Sequence, residues 1–296
     1  MRVLLSGASG FVGKAVRERL VSRGDHVEPL VRGNPIEGVR WDPASGRFDA
    51  AGAEGADAVV HLAGENVASG RWNAARKQAI YQSRVAGTRL LASGLAGATR
   101  RPKVLVGASA IGFYGSRGDE EVTEASPSGT GFLAEVCRDW ESAAEPAASA
   151  GIRVVHLRIG LVLSPKGGAL AQMLPAFRLG LGGKIGDGRQ WMSWITLHDL
   201  VRVIEMTLDD ASVRGPLNAV APEPVRNAEF TDRLASAVAR PAMLPMPAFA
   251  LRLVLGEMAD ETLLASNRVV PKALNDRGFT FDHPTLEQAF RALLGA

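Results

Sequence analysis

Val3-Leu4-Leu5 is an apolar run without polar alternation. A glycine-rich loop follows it, and then a stretch in which Val12, Val16, Leu20 and Val21 fall on one face at helical spacing until Gly24 ends the pattern. A second strand reads over His26–Val31, and apolar bursts recur at Ala58–Leu62, Val104–Val106 and Val154–Leu157. Helical patterns fill the later gaps: residues 72–95 carry Ile80, Leu90 and Leu91, and residues 130–148 carry Leu133, Val136 and Trp140. Strands apolar on both faces and separated by helix-length segments predict a parallel sheet covered on both sides, a doubly wound α/β fold of the Rossmann kind.

After Ser164 the regularity weakens. Residues 165–189 are rich in glycine, His198–Leu208 reads as a helix, Leu217–Val220 as a strand and Asn227–Val238 as a helix. Pro241, Pro245 and Pro247 then punctuate the chain, which predicts a boundary between a dinucleotide-binding domain at 1–240 and a small, mainly helical substrate-side region at 241–296. With 296 residues, 46% of them hydrophobic, the chain can bury a large core.

Charge and composition remove several function classes. The formal charge is only +3 and no basic stripe is interleaved with aromatics, so no nucleic-acid partner is expected. No apolar stretch approaches the roughly 18 residues of a membrane span, so no membrane partner is expected. Met1-Arg2 runs straight into a short strand pattern rather than a signal peptide, and Cys137 is alone, which excludes an internal disulfide. These features point to the cytoplasm, with a homodimer compatible with them. The five histidines are scattered without ligand spacing, so no metal is expected, and no GxSxG elbow follows a strand.

The sharpest motif is Gly7-Ala8-Ser9-Gly10-Phe11-Val12-Gly13, a GxxGxxG loop between a strand and a helix. Such a turn must be tight, must let the backbone approach a pyrophosphate, and must open onto a helix amino terminus with unpaired N–H groups. Gly7, Ser9, Gly10, Phe11, Val12 and Gly13 are therefore candidate cofactor residues. A carboxylate at the end of the second strand would hold the ribose 2′-hydroxyl of NAD. Val31 and Arg32 stand there instead. A guanidinium suits a 2′-phosphate, so NADP is the expected cofactor; the alternative for Arg32 is an ordinary surface arginine.

With the Gly7–Gly13 loop, His61-Leu62-Ala63-Gly64, Gly87-Thr88, Ser109–Gly115 and Trp194–Asp199, the chain resembles the extended short-chain dehydrogenase/reductases, the nucleotide-sugar epimerase and dehydratase group. Gly64-Glu65-Asn66, Gly70-Arg71-Trp72, Ser83-Arg84-Val85, Phe177–Gly183 and Val269-Val270-Pro271 make it similar to one branch, the epimerase family proteins. The resemblance implies that Leu62, Ala63 and Gly64 meet the middle of the cofactor and that Arg84 and Val162 approach it from later elements.

The resemblance breaks at catalysis. The group uses a YxxxK pair in which the lysine lowers the tyrosine pKa and the tyrosine moves a proton. The only tyrosines here are Tyr81 and Tyr114, with Val85 and Gly118 four residues on, and Leu133 and Cys137 stand where the pair belongs. Tyr114 and Ser109 are the remaining catalytic candidates, although a packed loop tyrosine is the plainer reading of Tyr114. His198-Asp199 reads as a helix cap. The expected function is an NADP(H)-dependent oxidoreductase or epimerase-like enzyme acting on a small carbonyl or sugar-like substrate. The alternative is a non-catalytic NADP(H)-binding regulatory or interaction protein.

Overall fold

The computed structural model describes residues 1–33 and 37–295. Its main strands are β1 (Arg2–Ser6), β2 (His26–Val31), β3 (Val39–Asp42), β4 (Arg47–Phe48), β5 (Ala58–His61), β6 (Val104–Ala110), β7 (Arg153–Ile159) and β8 (Gly215–Ala219). They form one eight-stranded sheet in the order β8-β7-β6-β5-β1-β2-β3-β4. All neighbours are parallel except the β3–β4 pair. β1 lies between β2 and β5, so the connections leave it in opposite directions and open a crevice at its carboxyl end. The Rossmann-type doubly wound fold is present.

The main helices are α1 (Phe11–Ser22), α2 (Ala74–Ala96), α3 (Phe132–Ser142), α4 (Gly168–Arg178), α5 (Leu197–Asp209), α6 (Asn227–Ala237), α7 (Ala248–Leu255) and α8 (Leu286–Leu294). Alternation along β1 sorts them into layers. Val3 and Leu5 face a core shared with Val16 and Leu20 of α1 and Leu200 and Ile204 of α5, whereas Leu4 joins Leu91, Ala92 and Leu95 of α2 on the other side.

Two local expectations change. The helical pattern over 130–148 is two pieces: α3 stops at Ser142, and a short helix Glu145–Ser149 restarts with a proline in its first turn, where a missing N–H costs nothing. β3 and β4 were not anticipated, because Val39 and Trp41 alternate with polar residues over too short a span. Their burial comes from α2: Trp41 packs over Gly87 and bonds its carbonyl at 3.2 Å, and Phe48 fills the space beside Gly94.

Residues past 240 share cores with the rest of the chain. Leu274 and Phe281 join the cluster of Val3 and Leu5, while Leu286, Ala289 and Phe290 of α8 pack with Trp194 and Phe230. Asp199 anchors this return. Thr196 caps α5 by accepting from the Asp199 N–H, and the buried Asp199 carboxylate accepts from the Asp282 and His283 N–H groups at 2.9 and 3.0 Å. His198, Asp199 and Asp282 could reach a common cation, but Arg202 already bridges both carboxylates. Among the described residues no helix is long and apolar enough to cross a membrane.

Candidate functional site

The loop after β1 is held by contacts that tolerate no side chain. A Cβ on Gly13 would lie 2.0 Å from the Gly7 carbonyl oxygen, and one on Gly7, whose φ is +71°, would lie 3.0 Å from the Ala63 nitrogen. Gly10 is the N-cap of α1 and brings no side-chain cap, and the first turn holds no carboxylate. The helix therefore presents open N–H groups and the positive end of its dipole to an anion.

Behind the loop a buried polar chain fixes the strand ends. The Ser6 hydroxyl oxygen accepts from the N–H groups of Leu62 and Ala63, both at 3.1 Å, and lies 2.6 Å from His61 Nδ1. With both lone pairs occupied, Ser6 must donate to Nδ1, which leaves the His61 proton on Nε2. That N–H donates to Thr88 Oγ1 at 3.0 Å, and Thr88 Oγ1 also accepts from Trp140 at 2.8 Å. Burial pushes the His61 pKa down to about 4, so the ring is neutral at physiological pH. The Gly87-Thr88 pair is thereby explained: glycine admits Trp41 and threonine closes the polar chain.

Gly7, Ser9, Gly10, Val31, Arg32, Leu62, Ala63 and Gly64 line one cleft of about 1790 Å³. Among the described residues, exposed Arg32 has no hydrogen-bond or ion-pair partner. Other predicted cofactor residues sit behind the wall. Phe11 packs against Gly167 and Gly168, Val12 and Val162 pack against the core, and Gly13 seals the turn. Arg84 lies beneath Gly64, donates to the Glu65 carbonyl at 2.9 Å and stacks 5.0 Å over Trp140; burial lowers its pKa. Sequence reasoning missed Lys14, Arg17 and Glu18 of α1, Trp41 and Pro43 after β2, and Gln82 and Ser83 of α2. The i, i+3, i+4 spacing of Lys14, Arg17 and Glu18 marks one helix face and could have shown them.

The other end of the site is closed. A Cβ on Gly112 would meet Leu133 Cβ at 3.3 Å and Cys137 Sγ at 4.0 Å, so the positions of the missing pair fill space against β6's end. Burial pushes the Cys137 thiol up to about 12, which keeps it protonated. Ser109 is buried and donates to Glu141 at 2.7 Å, and Arg158 grips both oxygens of Glu141 at 2.8 Å. Tyr114 is fully buried; its hydroxyl donates to Asn218 at 2.7 Å and accepts from Arg158 at 2.9 Å. Burial raises its pKa, although Arg158 opposes the shift. The structure thus places the Tyr114 hydroxyl, a candidate proton donor in the sequence, between two internal partners. Ser109 is likewise engaged, and neither residue lines the cleft.

The glycine turn, the open helix end and the cleft fit a dinucleotide on this chain's own geometry, since no Cβ could be added at Gly7 or Gly13 without displacing backbone. Comparison with known proteins agrees. The family model "NAD dependent epimerase/dehydratase family" matches residues 3–219, and "Domain of unknown function (DUF1731)" matches 246–293. An epimerase family protein of Mycobacterium bovis is 44% identical over 97% of this chain and 95% of its own length. The crystal structure of human epimerase family protein SDR39U1 (isoform 2) with NADPH superposes with a TM-score of 0.91 at 34% identity, covering 100% of this chain and 99% of that one. A nucleoside-diphosphate sugar epimerase of Corynebacterium glutamicum gives 0.82 at 40% identity, covering 100% of this chain and 58% of that one. On the extent of these matches, the chain belongs to the NAD dependent epimerase/dehydratase family.

Proposed function

We propose that this protein binds NADP(H) and transfers a hydride to or from a small carbonyl or sugar-like substrate, without the phenol–ammonium pair of the wider group. The supporting observation is the cleft running from the Gly7–Gly13 turn to Arg32, which is exposed and has no partner among the described residues. The turn and the amino end of α1 would hold the pyrophosphate, Val31 and Arg32 the adenosine and its 2′-phosphate, and Leu62, Ala63 and Gly64 the middle of the cofactor. Arg84 braces Gly64 from below. The NADPH in the human relative supports this choice of cofactor. When bound, the nicotinamide supplies or accepts the hydride. Solvent serves as the proton source, since Tyr114 is sealed and Ser109 directs its proton to Glu141.

Region 241–296 contributes the substrate side: Glu261, half-buried, accepts from the Phe132 and Leu133 N–H groups at the start of α3. The experiment is a screen of carbonyl and nucleotide-sugar compounds for loss of NADPH absorbance, with Ser109→Ala alongside. Turnover that survives in Ser109→Ala supports a solvent proton, and a loss of about a hundredfold or more returns that role to Ser109.

A second reading has its own support. Leu133 and Cys137 fill the reactive position with apolar and un-ionised groups, as expected of a chain that keeps NADP(H) for a regulatory or interaction role. Tight NADPH binding with no turnover across the screen selects this reading.

A further inference from the structure

The polar cleft has an apolar counterpart on a different surface. Leu179, Met243, Phe249, Leu253 and Val254 are each at least 67% exposed, which is far from the ordinary fate of large apolar side chains. They are brought together by the backbone. Residues 181–186 run beside 242–246, with Leu244 N bonding the Gly182 carbonyl at 3.1 Å and Met246 N bonding the Lys184 carbonyl at 2.9 Å, and α7 starts directly after. α7 reads Ala-Phe-Ala-Leu-Arg-Leu-Val-Leu and has no buried residue. A contiguous apolar surface of this kind marks a contact made by something else.

Charge on the same face indicates what that is. Arg178, Lys184, Arg240 and Arg71 are exposed and have no ion-pair partner among the described residues. Arg240 lies against the Arg178 carbonyl, and Arg71 bonds the Leu253 carbonyl. Arg252 is already matched by Asp260 and Glu257 by Lys77, which leaves Asp187 and Asp232 as the exposed opposing charges. A second copy seated here by a two-fold axis would set this positive rim against itself. The occupant that matches both features is apolar within and anionic at its surface.

A small cavity of about 330 Å³ borders the patch, lined by Lys184, Thr231, Asp232, Met243 and Pro245 among others. Thr231 is one of the lining residues and is only 2% exposed; its hydroxyl is buried and has no hydrogen-bond partner among the described residues. Exposed Lys184 can donate to a phosphate there, with Asp232 accepting from hydroxyls beside it.

We infer that this face docks on an anionic phospholipid bilayer, with Phe249, Leu253, Met243 and their neighbours entering the headgroup boundary and the basic rim meeting lipid phosphates. Sequence reading excluded a membrane partner because no segment can span; a surface contact needs no span, and eight residues of α7 lie along the interface rather than across it. The inference is independent of the cofactor reading.

The test is sedimentation of the full chain with vesicles of phosphatidylcholine alone and with phosphatidylglycerol added. The chain should sediment with the anionic vesicles only, and less at high salt. Phe249→Ser combined with Leu253→Ser, and separately Arg178→Glu combined with Arg240→Glu, should each weaken binding by about tenfold or more. Both changes are on exposed side chains, so circular dichroism and Tm should stay at the wild-type values. Three results would overturn the inference: no sedimentation with anionic vesicles, equal binding to neutral ones, or unchanged binding by both folded variants. A concentration-dependent dimer abolished by the Phe249 and Leu253 changes would also overturn it, in favour of a second copy.

Discussion

The two ends of β1 and β6 solve opposite problems. At β1 the chain uses glycines to keep space open: Gly7 and Gly13 close a turn that no Cβ could enter, and the cleft beyond it holds Arg32, without a partner among the described residues. At β6 the chain fills space: Leu133 and Cys137 pack against Gly112, and Ser109, Glu141, Arg158 and Tyr114 satisfy one another in the interior. An exposed arginine without a protein partner among the described residues is available to a ligand, whereas a saturated buried network is structural. The difference separates the end of the sheet where the proposed cofactor site lies from the end where Leu133 and Cys137 stand in place of the YxxxK pair.

The largest effects should come from the filled end, as losses of stability. Arg158→Met leaves the half-buried Glu141 carboxylate without its bidentate partner, and breaking such a pair costs up to about 3–5 kcal/mol. Urea denaturation should show that loss; a change under about 1 kcal/mol would mean the pair is not structural. Gly13→Ala attacks the open end, where the new Cβ would meet the Gly7 oxygen at 2.0 Å. The loop must move, and NADPH affinity should fall by about a hundredfold or more in a fluorescence titration while the protein remains folded.

Next comes pH. His61 has a folded pKa of about 4 against an unfolded value near 6.5, so the unfolded chain binds the proton more readily. Stability is whole above about pH 6.5 and falls as pH drops toward 4, by about 3 kcal/mol in all. Tm followed from pH 7 to 4.5 should show that slope, and His61→Gln should flatten it. An equal slope in the variant would assign the acid sensitivity to carboxylates elsewhere.

Tyr114→Phe has a smaller expected cost. It removes the donor to Asn218 and the acceptor for Arg158, which should cost about 1–3 kcal/mol and leave NADPH affinity and any turnover unchanged. A rate loss without a stability loss would restore Tyr114 to the chemistry.

How far the sequence carried follows the same division. Apolar runs and glycine spacing are local signals, so the parallel sheet, the turn and the place of Arg32 were legible. The absence of YxxxK was legible too, but not what replaced it. The Glu141–Arg158 pair joins α3 to β7, and Tyr114 meets Asn218 on β8 across 104 residues, contacts that no local pattern announces. Tyr114 drew notice as a phenol near the expected pocket, and only its burial shows that it faces the core. β3 was missed for a similar reason, since Trp41 is buried by α2 and not by its own neighbours.

The claim at the centre is that the open end is an NADP(H) site read by Arg32. Paired titrations of NADPH and NADH with wild type and Arg32→Ala test it directly. A guanidinium–phosphate bond contributes about 1.5–3 kcal/mol, so wild type should prefer NADPH by about tenfold to a hundredfold and Arg32→Ala should lose that preference through NADPH alone. Equal affinity of the wild type for the two cofactors would contradict the account.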